Sequence, residues 1–242
     1  MIEYFNEDCM AGMARYSDKY FDLAIVDPPY GIGNFNMKNG GGGKTKRNRE
    51  QCGDYLDVTW NDHIPAREYF EQLIRVSRER IIWGANYFNC FENGGGALVW
   101  YKNMGHPNLS NCEIASLSFQ KKVDFVHLNW ASGFYRRMKE GEVIHPCQKP
   151  VALYKWLLTN YAKPGDLILD THVGSASSLI ACHDLGFSAV GFEIDEEYYK
   201  ASKQRLKDHM AQMRIEDMSN HISGEDDKPE QITLFDISEL ER

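Results

Sequence analysis

Between Pro150 and Met213 the sequence switches repeatedly between two hydrophobic periods, and this switching limits the fold more than any other feature. Val151–Tyr161 has apolar residues at helical spacing, behind a proline suited to a first turn. Lys163-Pro164-Gly165-Asp166 is a turn, and Leu167–Leu169 is a short apolar run that ends at Asp170. Residues 171–175 form a loop rich in small residues, and Ala176–Leu185 is helical again, with Gly186 at its end. Ser188–Phe192 is a second strand ending at Glu193, and Asp195 caps a long helix over 196–213. Strand, loop, helix and strand in this order make a βαβ unit. The expected fold class is α/β, with a doubly wound, mostly parallel sheet.

The first half is less regular. Ile2–Asn6 reads as a strand, and Phe21–Val26 as a buried one that stops at Asp27-Pro28-Pro29. Two prolines cannot continue a ladder or fill a helix, so the chain turns there. Residues 31–61 lack periodicity and hold Gly40-Gly41-Gly42-Gly43, which predicts a long mobile loop. Pro65–Arg78 is predicted helical, Ile81-Ile82-Trp83 a strand, Asn86–Phe91 a short helix and Ala97–Tyr101 a strand. Residues 103–144 carry turn signals, two strands (Glu113–Phe119 and Val123–Leu128) and a polar stretch with Arg136 and Arg137. The expected organisation is one domain over 1–213 and an acidic tail over 214–242, with 216–230 disordered.

Composition narrows the function classes. A chain of 242 residues with 43% hydrophobic residues can bury a sizeable core. No apolar run nears 18 residues, and the N-terminus lacks a basic stretch followed by an apolar one. No membrane span or secretory signal is expected. The six cysteines are scattered without a Cys-x-x-Cys pair, which predicts reduced thiols, no metal and a cytoplasmic location. The net charge of −8 is concentrated in the tail, where three basic residues face nine acidic ones. Residues 31–50, in contrast, hold Lys38, Lys44, Lys46, Arg47 and Arg49 against Glu50 alone. A nearly neutral body with a local basic segment suits binding to a phosphate backbone. Gly43-Lys44-Thr45 imitates the end of a nucleotide-triphosphate loop, but the first glycine of that pattern would fall on Lys38.

The chemistry gathers at strand ends. In open parallel sheets ligands bind beyond the carboxyl ends of the strands, where Asp170 and Glu193 both fall. Gly174 lets the backbone approach a ligand, and a carboxylate ending the second strand is suited to ribose hydroxyls. Asp27-Pro28-Pro29-Tyr30 also follows a buried strand. An aromatic amino nitrogen is a poor nucleophile because its lone pair is delocalised into the ring. Acceptors on both of its N–H bonds draw it toward tetrahedral geometry. The Asp27 side chain and the Pro28 carbonyl supply such a pair, Pro28 and Pro29 stiffen the backbone, and Tyr30 offers a stacking face.

With these motifs in this order, the chain resembles the β group of DNA amino-methyltransferases. In that group an Asp-Pro-Pro-Tyr half precedes the half that binds S-adenosylmethionine. The resemblance also covers His145-Pro146-Cys147-Gln148-Lys149-Pro150, which matches His-Pro-x-x-Lys-Pro, and Glu7-Asp8 in place of Gly-Asp. It implies a Rossmann-like methyltransferase fold in permuted order, with the catalytic half first. It further implies S-adenosylmethionine as cofactor, double-stranded DNA as partner and a role of the restriction–modification kind. Asp8 and Cys9 would lie near the cofactor adenine and Glu193 on its ribose. Asp27, Asp170, Thr171, His172, Gly174 and Ser175 would line the methionine side, closed by Lys149. The family reads Asp-Pro-Phe-x-Gly-Ser-Gly where this chain reads Asp170-Thr171-His172-Val173-Gly174-Ser175-Ala176, so His172 is free to donate to the methionine carboxylate.

The Asp before Pro-Pro-Tyr favours adenine-N6 as the target. Cytosine-N4, an RNA or protein amide, and a catalytically decayed nucleic-acid-binding module remain as alternatives. A base inside a duplex must be flipped out to react. Lys44, Lys46, Arg47 and Arg49 are expected to hold the DNA backbone, and Arg136 and Arg137, in the target-recognition region 103–144, to read bases or phosphates. That region is short, which leaves room for a homodimer.

Overall fold

A computed structural model describes residues 1–32, 63–92, 94–103, 110–130 and 140–223. Eight strands form one sheet: β1 (Ile2–Asn6), β2 (Phe21–Val26), β3 (Ser77–Trp83), β4 (Ala97–Tyr101), β5 (Cys112–Leu117), β6 (Val123–His127), β7 (Leu167–Asp170) and β8 (Ser188–Glu193). Their order across the sheet is β1-β8-β7-β2-β3-β5-β4-β6. β5 runs antiparallel to both of its neighbours, and every other ladder is parallel.

The order explains how the two halves of the chain make one site. β7 and β8, late in sequence, are inserted between β1 and β2: Tyr4 pairs with Gly191 on one side and Leu23 with Ile168 on the other. From β7 the chain proceeds to β8 on one side, whereas from β2 it proceeds to β3 on the other. The gap beyond the carboxyl ends of β2 and β7 is therefore a topological switch point, where such sheets bind ligands. Asp27 follows one of these strands and Asp170 ends the other.

Alternation along the strands sends apolar side chains to both faces, as a doubly covered sheet requires. Leu23, Ile25, Ile81 and Ile168 join one core cluster, with residues of helices α4 (Val151–Tyr161), α5 (Ser177–Asp184) and α6 (Glu196–Ser223). Ala24, Val26, Ile82 and Leu169 join the other, against α1 (Cys9–Met13) and α2 (Arg67–Val76). A further short helix, α3 (Ala85–Phe88), follows β3.

The expected α/β class and permuted order hold, with several element boundaries shifted. β3 begins at Ser77, four residues before the apolar run. The buried Ser77 hydroxyl donates to the Leu73 carbonyl and closes α2, so the chain turns directly into the strand. α3 covers 85–88 and stops at Asn89, which takes a left-handed conformation (φ 51°). α6 runs on to Ser223, so 216–223, expected to be disordered, is helical. Asp195 accepts from the Glu197 and Tyr198 N–H groups at its start, and Glu196–Lys200 and Gln204–Asp208 pairs support its polar face. Most of the expected loop 31–61 lies outside the described residues, as do parts of 103–144 and the tail beyond 223. Among the described residues no helix is long and apolar enough to cross a membrane.

Candidate active site

At the end of β2 the chain delivers Asp27 into a buried charged cluster. The Lys149 ammonium bonds to Asp27 Oδ2, the Tyr30 hydroxyl donates to Asp27 Oδ1 at 2.6 Å, and Lys149 Nζ also donates to the Tyr30 oxygen at 3.3 Å. Glu113, brought in by the reversed strand β5, lies 3.0 Å from Lys149 Nζ through Oε2 and 2.7 Å from Lys102 Nζ through Oε1. Burial raises the Asp27 carboxyl, against the pull of Lys149. Burial pushes Glu113 upward too, but Lys149 and Lys102 more than offset it and hold that carboxyl at about 2. Lys149 stays protonated, because the two carboxylates outweigh its own desolvation. Lys149, expected to close the methionine side of the cofactor pocket, turns its ammonium to the Asp27 and Glu113 carboxylates.

Tyr30 is held from several sides. Tyr87 stacks on it with ring centroids 4.9 Å apart and planes inclined by 16°, and Phe88 meets it edge-on. Gly84 (φ 74°) packs so closely that a Cβ there would overlap the Tyr30 ring. The Tyr30 face expected to receive a base is thus partly covered by Tyr87, itself 43% exposed on the short helix α3.

The second strand end builds a different surface. Asp170 spends both carboxylate oxygens inside the protein: Oδ1 accepts the His172 N–H at 3.0 Å and Oδ2 the Ser178 hydroxyl. Burial raises its carboxyl to about 7. Glu193 Oε2 accepts the Gly174 N–H and Oε1 the Asp195 N–H, each at 2.9 Å, so this carboxylate pins the loop after β7 to the end of β8. Gly174 (φ 53°) leaves little room for a side chain: its backbone conformation is one that L side chains rarely adopt, and a Cβ would stand a tight 3.3 Å from the His145 ring. Arg205 of α6 secures the same loop by donating to the Ser175 carbonyl (2.6 Å) and the Ser177 hydroxyl (3.0 Å), while pairing with Glu140.

At the start of the chain Asp8 Oδ1 caps α1 through the Met10 and Ala11 N–H groups, leaving Oδ2 without a cap bond. A cavity of about 240 Å³ opens beside it, lined by Cys9, Met10, Pro29, Ile64, Pro65 and His172 among others. The structure therefore brings Asp27, Tyr30 and Lys149 to one centre, and Cys9, Pro29 and His172 to an adjoining cavity. Pro28 is buried beside Asp27 in the chain. The close backbone at Gly174, the Glu193 carboxylate and the apolar cavity together fit a nucleoside-bearing cofactor. Lys44, Lys46, Arg47, Arg49, Arg136 and Arg137 lie outside the described residues.

Glu113, Lys102, Tyr69, Tyr87, Gly84 and Arg205 went unread in the sequence. Each enters the site from an element that carries no motif. Glu113, within an otherwise apolar strand between Cys112 and Ile114, was the one visible signal.

Residues 99–204 match the family model described as DNA methylase. The Type II methyltransferase M2.DpnII of Streptococcus pneumoniae is 22% identical over 241 residues, covering 84% of this chain and 88% of the relative. The M1.HpyAVI–SAM complex superposes with a TM-score of 0.52 at 17% identity, over 85% of this chain and 100% of that one. The cytosine-N4-specific PvuII DNA methyltransferase gives 0.56 at 13% identity, over 84% and 86%. These two likenesses establish a shared methyltransferase fold.

Proposed function

We propose that this chain, a member of the DNA methylase family by its match over residues 99–204, transfers a methyl group from S-adenosylmethionine to the N6 amino group of adenine in double-stranded DNA. The observation that carries this reading is the largely buried Asp27 carboxylate at the switch point, paired with Lys149, on a backbone set by Pro28 and Pro29 and close to a cavity sized for a heterocycle.

S-adenosylmethionine supplies an electrophilic methyl group. Glu193 would hold its ribose and the Gly174 backbone its methionine end, with the adenine in the cavity beside Cys9. The flipped base presents its amino group to the Asp27 carboxylate and the Pro28 carbonyl, which accept the two N–H bonds and free the nitrogen lone pair. Burial makes Asp27 a stronger acceptor than a surface carboxylate. Its Oδ2 is occupied by Lys149, and Glu113 at 3.0 Å offers that ammonium another anion when the amine arrives. As the nitrogen–methyl bond would form and the sulfonium–methyl bond break, S-adenosylhomocysteine would leave, and Asp27 would stabilise the positive charge on the methylated nitrogen until its proton passes to solvent. Positioning and electrostatics provide most of the acceleration, without a covalent enzyme intermediate. Tyr87 yields its place on Tyr30 so that the base can stack there.

The basic segment with Lys44, Lys46, Arg47 and Arg49 would bind the phosphate backbone, and Arg136 and Arg137 would read the target. Parallel incubations of methyl-labelled S-adenosylmethionine with duplex DNA, with RNA and with protein, followed by nucleoside analysis of the labelled DNA, test the reading. Label in N6-methyl-2′-deoxyadenosine is expected. Label in N4-methylcytosine would move the target to cytosine, and label only in RNA or protein would overturn the DNA assignment.

A further inference from the structure

The loop after β7 departs from the family pattern at Thr171 and His172, and the two residues are joined in a hydrogen-bonded chain. The Tyr69 hydroxyl, from α2, lies 2.7 Å from Thr171 Oγ1, which in turn lies 2.9 Å from His172 Nδ1. Tyr69 and Thr171 are 4% and 2% exposed. The Tyr69 ring also meets the His172 imidazole edge-on at 5.4 Å.

The directions along this chain follow from counting protons. Among the described residues the Tyr69 hydroxyl has one hydrogen-bond partner, Thr171. A buried phenol with one partner donates to it, since a buried hydroxyl proton left unmatched is costly. Thr171 Oγ1 thus accepts from Tyr69 and directs its own proton to His172 Nδ1. Burial lowers the imidazole to about 4, so the ring is neutral near pH 7. With Nδ1 an acceptor, the ring proton sits on Nε2. His172 therefore brings a donor of fixed identity to the cavity it lines, where the family pattern has a phenylalanine.

We infer that His172 is a specificity residue for the cofactor, its Nε2–H donating to an acceptor nitrogen of the cofactor's adenine ring in the cavity between α1 and α2. The inference rests on the S-adenosylmethionine reading above. The rest of the cavity favours the ring over the methionine carboxylate. Cys9, Met10, Pro29, Ile64 and Pro65 make mostly apolar walls, and among the described lining residues, which also include His63, the one carboxylate is Glu68 and there is no lysine or arginine. A flat heterocycle gains from such walls, whereas a carboxylate would be desolvated next to a like charge. The volume of about 240 Å³ suits one heterocycle rather than the whole cofactor. The Tyr69 link also means that α2, which follows the reaction-centre half, sets the tautomer read by the cofactor half.

Calorimetric titration of the full chain with S-adenosylhomocysteine and its 1-, 3- and 7-deaza-adenine analogues tests this directly. One analogue should bind the unmodified protein about tenfold more weakly than the parent ligand. His172→Phe should bind the parent about tenfold more weakly and lose that discrimination. Thr171→Val, which keeps the imidazole but removes the bond fixing its tautomer, should lose most of it as well. Equal binding of all four ligands by the unmodified protein, or full discrimination by His172→Phe, would overturn the inference while leaving the cofactor reading intact. Failure of the unmodified protein to bind S-adenosylhomocysteine at all would overturn the cofactor reading, and the inference with it.

Discussion

The Lys149 ammonium is bonded to the Asp27 carboxylate across 122 residues of sequence, joining the segment before α4 to the end of β2. This ion pair opposes the effect of burial on Asp27. Lys149→Gln removes that opposition, so the Asp27 carboxyl should titrate at higher pH. If the ionised form accepts the amine, the acidic limb of the kcat/KM profile should move upward by about one pH unit or more. A limb that stays in place would separate Lys149 from the titration of the acceptor.

Glu113 predicts a stability effect of definite sign. Its folded carboxyl is held at about 2, below the ordinary value of 4.5. Its contribution is therefore complete above pH 4.5 and is lost as the pH falls toward 2. Glu113→Gln leaves Lys149 and Lys102 short of an anion and should lower stability near pH 7 by about 3 kcal/mol. Urea unfolding at several pH values should show this difference shrinking as the solution is acidified. A difference independent of pH would contradict the ionised assignment.

Gly84 predicts an effect on turnover that no motif suggests. A methyl group at this position would overlap the Tyr30 ring, in a backbone conformation that L side chains rarely adopt. Gly84→Ala should shift Tyr30 and with it the hydrogen bond to Asp27, lowering kcat by about 100-fold with little change in cofactor affinity. Unchanged kcat would show that the Tyr30 position tolerates displacement.

Glu193 joins the loop after β7 to the end of β8 through the Gly174 and Asp195 N–H groups. Glu193→Ala frees both donors and removes the proposed ribose acceptor. Affinity for S-adenosylmethionine should fall by about 10- to 100-fold, as for loss of hydrogen bonds to a charged group. Calorimetry giving an unaltered affinity would remove Glu193 from the cofactor site.

The parts of this site legible in sequence were those set by local rules. Asp170, Glu193 and Asp27 could be read because a strand that ends at an acid leaves that acid at the sheet edge. Gly174 could be read because a left-handed residue favours glycine. Glu113 and Lys102 could not, because they depend on the reversal of β5 between β3 and β4, and strand order is a long-range property. The closure of α2 at Ser77 was hidden for the opposite reason: a single side-chain hydrogen bond outweighed a helical hydrophobic pattern. Lys149 was read from its motif, but its pairing with Asp27 was not, since the motif does not reveal which carboxylate its ammonium meets.

In the mechanism proposed above, Asp27 activates the target amine while the cofactor is held elsewhere. Asp27→Ala should be assayed for labelled methyl transfer to duplex DNA and, in parallel, for S-adenosylmethionine binding by calorimetry. Methyl transfer should fall to background, with cofactor affinity within about threefold of the unmodified protein, a change below roughly 1 kcal/mol. Retained transfer by Asp27→Ala would contradict that mechanism.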